Sequence, residues 1–194
     1  MPIHFQLANE PAKRAQYFNI RQFCFRNDLG LYSFDGSEDQ YDREGEILLI
    51  MEGNQCIGGA RLSGSMDPVP LPLEHEGLDI QQLFPNISST DTPYCQWTRL
   101  AVHPSKRTPQ LMAETAKTML EIALAKGYQY SFCVSGRSQA RLYKRLYNNL
   151  GYDYRIMEQV KVPEEPGFQG LPHLLSICDL TSTATHQLDI PRVA

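Results

Sequence analysis

The stretch from Tyr94 to Gly127 constrains the fold more than any other. Tyr94 to Val102 reads as a central strand. After His103-Pro104-Ser105-Lys106-Arg107 the chain starts its clearest helix, with Thr108 as a good N-cap and Pro109 as a good first residue. Leu111, Met112, Ala116, Met119, Leu120, Ala123 and Leu124 then fall on one face at helical spacing, and Lys126-Gly127 supplies the stop. Tyr128 to Val134 is again strand-like. A strand, a helix and a strand joined by short links imply a sheet with a helix packed against it.

The flanking segments extend this order. Pro11 to Arg26 predicts an amphipathic helix, with Gly30 beyond its end. Tyr32 to Arg43 is polar and acidic without period, hence a loop. Glu46–Met51 and Cys56–Leu62 flank Glu52-Gly53-Asn54-Gln55 and predict a hairpin. Gly58-Gly59 inside its second strand predicts a bulge or a close approach of another group. Residues 63–93 are rich in Pro, Ser and Asp, with a short helix expected over Gly77–Phe84. A connection this long is a lid, part of a pocket, or an irregular surface loop. Ser138 is expected to cap a helix running to Leu150, and Tyr152–Val162 and Leu174–Leu180 complete the strands. The expected fold is α/β (α+β): one domain, a twisted mixed sheet flanked by helices. No Gly-x-Gly-x-x-Gly follows a strand and no Walker loop is present, so neither nucleotide fingerprint applies.

Composition narrows the partners. The chain has 194 residues, a net charge of −4 and 42% hydrophobic residues, which suits one globular domain. No apolar run approaches the roughly 20 residues of a membrane helix. The N-terminus lacks a basic region followed by an apolar one, which points to the cytoplasm. No long basic stripe suggests nucleic acid. The densest basic segment, Arg137 to Arg145, is either a solvated helix face or a contact for an acidic partner. The five cysteines form no Cys-x-x-Cys and the histidines no ligand pattern, so no metal site is read. Asn86-Ile87-Ser88 fits a glycosylation sequon by chance alone.

The junction at Lys106, Arg107 and Thr108 carries chemistry. A helix start leaves N–H groups unpaired and favours an anion such as a pyrophosphate. Two cations there oppose the helix dipole, which makes sense if an anion binds; the alternative is two solvated charges in a turn. Arg21, Arg61 and Arg99 lie in or near apolar segments and need partners, for which Asp39 and Asp42 are suited. Either they form a structural ion network, or that network shapes a pocket.

Gln96-Trp97-Thr98-Arg99-Leu100-Ala101-Val102-His103-Pro104, the capped helix, and Tyr147-Asn148-Asn149-Leu150-Gly151-Tyr152 resemble the core of the GCN5-related N-acetyltransferase superfamily. Ser105 to Gln110 departs from that superfamily's glycine-rich loop. Four further features, in order, resemble the acyl-homoserine-lactone synthase branch, taken with the N-acyl amino acid synthases. They are Arg21 with Phe25, the Glu38-Asp39-Gln40-Tyr41-Asp42 loop, Gly58-Gly59-Ala60-Arg61-Leu62, and Gln96 to Val102 itself. The resemblance covers residues 15 to 155. It implies an acyltransferase-like domain over residues 1–181, followed by a polar tail over 182–194. It also implies transfer of an acyl group from an acyl-carrier-protein or acyl-CoA thioester to an amine, with no tightly bound cofactor. S-adenosylmethionine is the first-choice acceptor, N-acylated and then closed to a lactone.

Under that resemblance Gln96, Thr98, Arg99, Asp39, Asp42 and Tyr147 are the catalytic candidates. Arg21, Phe25, Arg61 and Trp97 would form the acceptor site, and Leu100, Val102, Lys106, Arg107 and Thr108 would hold the thioester donor. The branch carries Glu where this chain has Gln96, and a neutral amide cannot take the amine's proton. Asp39, Asp42 or water would take over, the acceptor would differ, or the chain would bind without catalysis. Tyr147 is either a leaving-group proton donor or a half-buried helix aromatic.

Overall fold

The computed structural model describes residues 1–87, 90–164 and 167–181; the tail expected over 182–194 and Ser88 of the sequon lie outside them. The elements are β1 (Ile3–Leu7), α1 (Pro11–Asp28), α2 (Gln40–Glu44), β2 (Glu46–Glu52), β3 (Gln55–Gly64), α3 (Pro72–His75), α4 (Ile80–Leu83), β4 (Tyr94–Val102), α5 (Pro109–Ala125), β5 (Tyr130–Ser135), α6 (Arg137–Asn149), β6 (Asp153–Met157) and β7 (Leu174–Asp179). They form a seven-stranded sheet of order β1-β2-β3-β4-β5-β7-β6. Every neighbouring pair is antiparallel except β4 and β5. The twisted mixed sheet flanked by helices is the fold expected from the sequence.

Local expectations fare unevenly. Helix α1 starts on Pro11, and Thr108 caps α5 by accepting the Leu111 N–H at 3.1 Å. Strand β1 was not expected: it pairs with β2 at the sheet edge and is half exposed, so it lacks a strong apolar alternation. The polar loop before β2 contains α2. Helix α6 begins at Arg137 behind Gly136, not Ser138, without a side-chain cap. The strand expected over Tyr152–Val162 stops at Met157. The 77–84 helix is the shorter α4, preceded by α3.

The paired glycines of β3 serve close approach. A Cβ on Gly59 would lie 2.5 Å from the Leu48 carbonyl oxygen and 2.7 Å from the Tyr17 ring. One on Gly58 would lie 2.7 Å from the Ala101 carbonyl oxygen. These gaps let α1 lie on the sheet beside β4. Directly beyond them the β3–β4 register shifts: Gly59 pairs with Ala101 but Arg61 with Thr98, so Ala60 faces two residues, Arg99 and Leu100. This is a β-bulge, and Arg99 is the one described non-glycine residue with positive φ, at 57°.

Gly59→Ala is expected to lower the unfolding free energy by about 1–3 kcal/mol through steric overpacking alone. Urea denaturation should show the loss as a lower midpoint at unchanged slope.

Candidate active site

The site is built around three buried charges, Arg21, Asp42 and Arg61, and the partly exposed Asp39. On α1, Tyr17, Arg21, Cys24 and Phe25 share the face turned to the sheet, which places a guanidinium among apolar neighbours. Arg21 is 1% exposed and forms a two-point ion pair with Asp42, each bond 2.9 Å. Its second terminal nitrogen also donates to the carbonyls of Gly36 and Ser37. Arg61 of β3 reaches both Asp39 oxygens at 2.7 Å and Asp42 at 3.3 Å, and its Nε donates to Thr98 Oγ1 at 2.9 Å. The carboxylates are held by the backbone too. Asp42 N–H donates to Asp39, and Asp39 N–H to Asp42, as a capping box on α2. Two cations and two anions thus fasten α1, α2, β3 and β4 to one another.

Burial opposes ionisation of Asp42, but its hydrogen bonds and attraction to Arg21 and then Arg61 outweigh that and hold the carboxyl below its usual range. Burial pushes the Tyr17 phenol up to about 12, so it is a neutral donor. Its hydroxyl donates to the Arg99 carbonyl at 2.7 Å.

Beside this lattice β4 parts from β5. The two pair over Tyr94–Gln96 and Tyr130–Phe132, and not beyond. The gap opens into a cavity of about 690 Å³ lined from both faces of the sheet. On the α1 face lie Gln96, Thr98, Arg99, Phe25, Leu73 and Phe168; on the α5–α6 face lie Trp97, Met112, Ala116, Met119, Tyr143 and Tyr147. The bulge sets this arrangement. Strand alternation would put Thr98 and Arg99 on opposite faces. Instead Arg99 turns to the α1 side, its guanidinium 4.6 Å from the Phe168 ring centre, 5.5 Å from Phe34 and 5.9 Å from Phe25.

The sequence-derived candidates divide accordingly. Gln96, Trp97, Thr98, Arg99, Leu100, Val102, Phe25, Arg107 and Tyr147 line the cavity; Arg21, Arg61, Asp39, Asp42, Lys106 and Thr108 do not. The four lattice residues stand behind the wall. Lys106 pairs with Glu52 at 2.6 Å. Arg107 pairs with Asp28 and donates to the Val102 carbonyl at 2.8 Å. Gln96 lends its Oε1 to the Leu73 N–H at 3.0 Å, pinning α3 over the site. Tyr147 stacks on Tyr154, ring centres 5.2 Å apart, and burial raises its phenol well above its usual value. It lines the cavity as a neutral phenol, the state in which the proton-donor role expected from the resemblance would find it. Cys24 and Cys133 also line the cavity; burial raises both thiols, which stay protonated at neutral pH.

Sequence reasoning missed Glu76, Phe168, Leu171 and His173, which reach the cavity from the connections after α3 and after β6. No motif marks them. Among the described residues no cluster of His, Cys, Asp or Glu is arranged to hold a metal, and no helix is long and apolar enough to cross a membrane.

Asp42 ionises more readily folded than unfolded, so its contribution is present above the unfolded carboxylate value of about 3.9 and is lost as pH falls through its lower folded value. Asp42→Asn is expected to cost about 3–5 kcal/mol at pH 7 by stranding Arg21 and Arg61. Urea titrations at several pH values should show the variant losing stability less steeply between pH 5 and the acid limit, as about the range for a depressed carboxylate.

No protein-family model matches the chain, and no curated protein matches its sequence. Solved structures do. The AHL synthase LasI is 15% identical, with a TM-score of 0.67 over 94% of this chain and 92% of that one. The CoA-dependent acyl-homoserine lactone synthase BjaI, solved with MTA, is 17% identical, with a TM-score of 0.67 over 92% of this chain and 84% of that one. FeeM, an N-acyl amino acid synthase from uncultured soil microbes, is 11% identical, with a TM-score of 0.63 over 93% of this chain and 92% of that one. Identities this low establish the fold: the chain has the architecture shared by acyl-homoserine-lactone synthases, N-acyl amino acid synthases and N-acetyltransferases.

Proposed function

We propose that this protein is an N-acyltransferase that moves an acyl chain from a thioester to the amine of an acceptor with an α-amino acid head group. The observation that carries the reading is the cavity lined from both faces of the sheet where β4 and β5 part. An extended, amide-bearing arm such as phosphopantetheine can take the unpaired strand edges. Its acyl chain would lie among Trp97, Met112, Ala116 and Met119, and its carbonyl in the gap, where backbone N–H groups of β4 stabilise the oxyanion. The neutral amine attacks from the Thr98–Arg99 side, the C–N bond forms, the C–S bond breaks, and a proton lost by the nitrogen passes, directly or through water, to the departing sulfur, which leaves as a thiol. Arg99 supplies positive charge for the acceptor's carboxylate.

S-adenosylmethionine is the first-choice acceptor, in line with the BjaI structure solved with SAM and isopentyl-CoA. A plain amino acid is the second reading, favoured by Gln96: the branch's acid at this position is an amide here, its oxygen committed to Leu73. Gln96→Glu keeps that acceptor and restores a carboxylate. With S-adenosylmethionine it is expected to raise turnover, while Arg99→Ala lowers it. A wild type that acylates an amino acid well, with nothing gained by Gln96→Glu, would support the second reading. Thiol release measured over a panel of amines and acyl donors decides between them, and no release with any pair would contradict the enzyme reading.

Acyl-carrier protein is the preferred donor. Pro109 has no N–H and Thr108 takes that of Leu111, so the start of α5 offers little to a pyrophosphate. Helix α6 carries Arg137, Arg141, Lys144 and Arg145 and no acid, and its first residues line the cavity. Among the described residues Arg137 meets Glu158 at 3.4 Å, while the other three have no carboxylate within ion-pair distance. They form a docking face for an acidic carrier. Charge reversal at Arg141, Lys144 and Arg145 should raise KM for acyl-carrier protein at least tenfold and leave KM for acyl-CoA within about twofold, with the difference shrinking as salt is added.

A further inference from the structure

Resting on the acyltransferase reading, we infer that Tyr17 is a positioning residue, which sets the β4 bulge through its hydrogen bond to the Arg99 carbonyl and so aims Thr98 and Arg99 into the acceptor end of the cavity. Tyr17 touches none of the reacting atoms and does not line the cavity. It is fully buried, and its hydroxyl lies 2.7 Å from the Arg99 carbonyl oxygen. Three features fix it there. Its ring fills the space left by the missing side chain of Gly59. The Arg21 guanidinium sits 5.4 Å from its ring centre, which couples it to the buried ion lattice. Its phenol stays protonated, because burial lifts it to about 12, so it acts as a donor throughout the working pH range.

What Tyr17 holds is a conformation that does not hold itself. Arg99 sits at φ 57°, a left-handed backbone that a long side chain adopts at a cost and that persists only where its surroundings over-determine it. The carbonyl that Tyr17 grips belongs to that residue. If the bulge relaxes to regular pairing, alternation resumes and Arg99 leaves the face of Thr98 and the Phe25–Phe34–Phe168 cluster. A change confined to the phenol oxygen therefore reaches the reaction through β4 geometry.

The test uses Tyr17→Phe, which removes the hydroxyl and keeps the ring. The lone tryptophan of the chain, Trp97, lies on β4 two residues before Arg99 and lines the cavity, so its fluorescence reports strand geometry and donor entry without any turnover. Expected for Tyr17→Phe are a native circular dichroism spectrum, a shifted Trp97 emission maximum, and a kcat lower by between about 10- and 100-fold. The KM for the acyl donor should stay within twofold. In the Arg99→Ala background the same change should lower kcat by less than it does in the wild type, because part of the effect runs through Arg99, whereas a merely structural role would add in full. Unchanged kcat in Tyr17→Phe, or full additivity with Arg99→Ala, overturns the inference and leaves the acyltransferase reading intact. A wild type that quenches Trp97 with decanoyl-CoA yet acylates no amine overturns the acyltransferase reading. In that event an unshifted Trp97 emission in Tyr17→Phe would overturn the inference as well.

Discussion

The structure depends on the exchange of charge between Arg21, Asp42, Arg61 and Asp39. Burying an unpaired guanidinium or carboxylate costs several kcal/mol, and a pair offsets that cost only with close geometry and full hydrogen bonding. The geometry is close, and the terminal nitrogens of Arg21 are bonded, while its buried Nε has no hydrogen-bond partner. Arg21 and Asp42 meet by two bonds, and Arg61 takes two carboxylates and the Thr98 hydroxyl. The lattice is electrically neutral. It specifies one placement of α1 on the sheet, since sliding the helix by a turn would part Arg21 from Asp42 and leave a buried guanidinium unpaired.

That placement shapes β4. With α1 fixed, Tyr17 lies against Gly59 and reaches the Arg99 carbonyl; with Arg61 fixed, Thr98 is anchored from below. Between these anchors the strand takes its extra residue and bulges. The divergence from β5 after Gln96 and Phe132 then leaves strand edges facing open space. An enzyme that joins an apolar chain to a polar amine needs two environments and one carbonyl between them. The cavity supplies an apolar chamber of Trp97, Met112, Ala116 and Met119 on one face and a charged, aromatic end around Arg99 and Phe168 on the other.

Much of this was legible in the sequence, because its signals are local. Thr108-Pro109 and Gly127 bound α5, the Gly58-Gly59 pair announced a close approach, and an arginine on the buried stripe of α1 asked for a carboxylate partner. What stayed hidden depends on contacts distant in sequence. The pairing of Lys106 with Glu52 and of Arg107 with Asp28 spans 54 and 79 positions and gives each cation a carboxylate partner. The point where β4 leaves β5 follows from register, which no single segment encodes. Glu76, Phe168 and His173 enter the cavity on irregular connections, where neither period nor motif singles them out. Strand β1 escaped notice because an edge strand with one half-exposed face has little apolar pattern. Helix α2 escaped because its capping box sits in a segment that otherwise reads as a polar loop.

The central claim is that a thioester donor threads the gap between β4 and β5, acyl chain on one face of the sheet and reactive carbonyl beside Thr98 and Arg99. A crystal structure of the protein with a non-hydrolysable thioether analogue of an acyl-pantetheine tests it most directly. Electron density for the pantetheine arm is expected along the unpaired edge of β4 beyond Gln96, with the chain packed on Trp97, Met112 and Met119. An analogue bound elsewhere, with the gap closed by pairing of β4 to β5 through Val102, would contradict it.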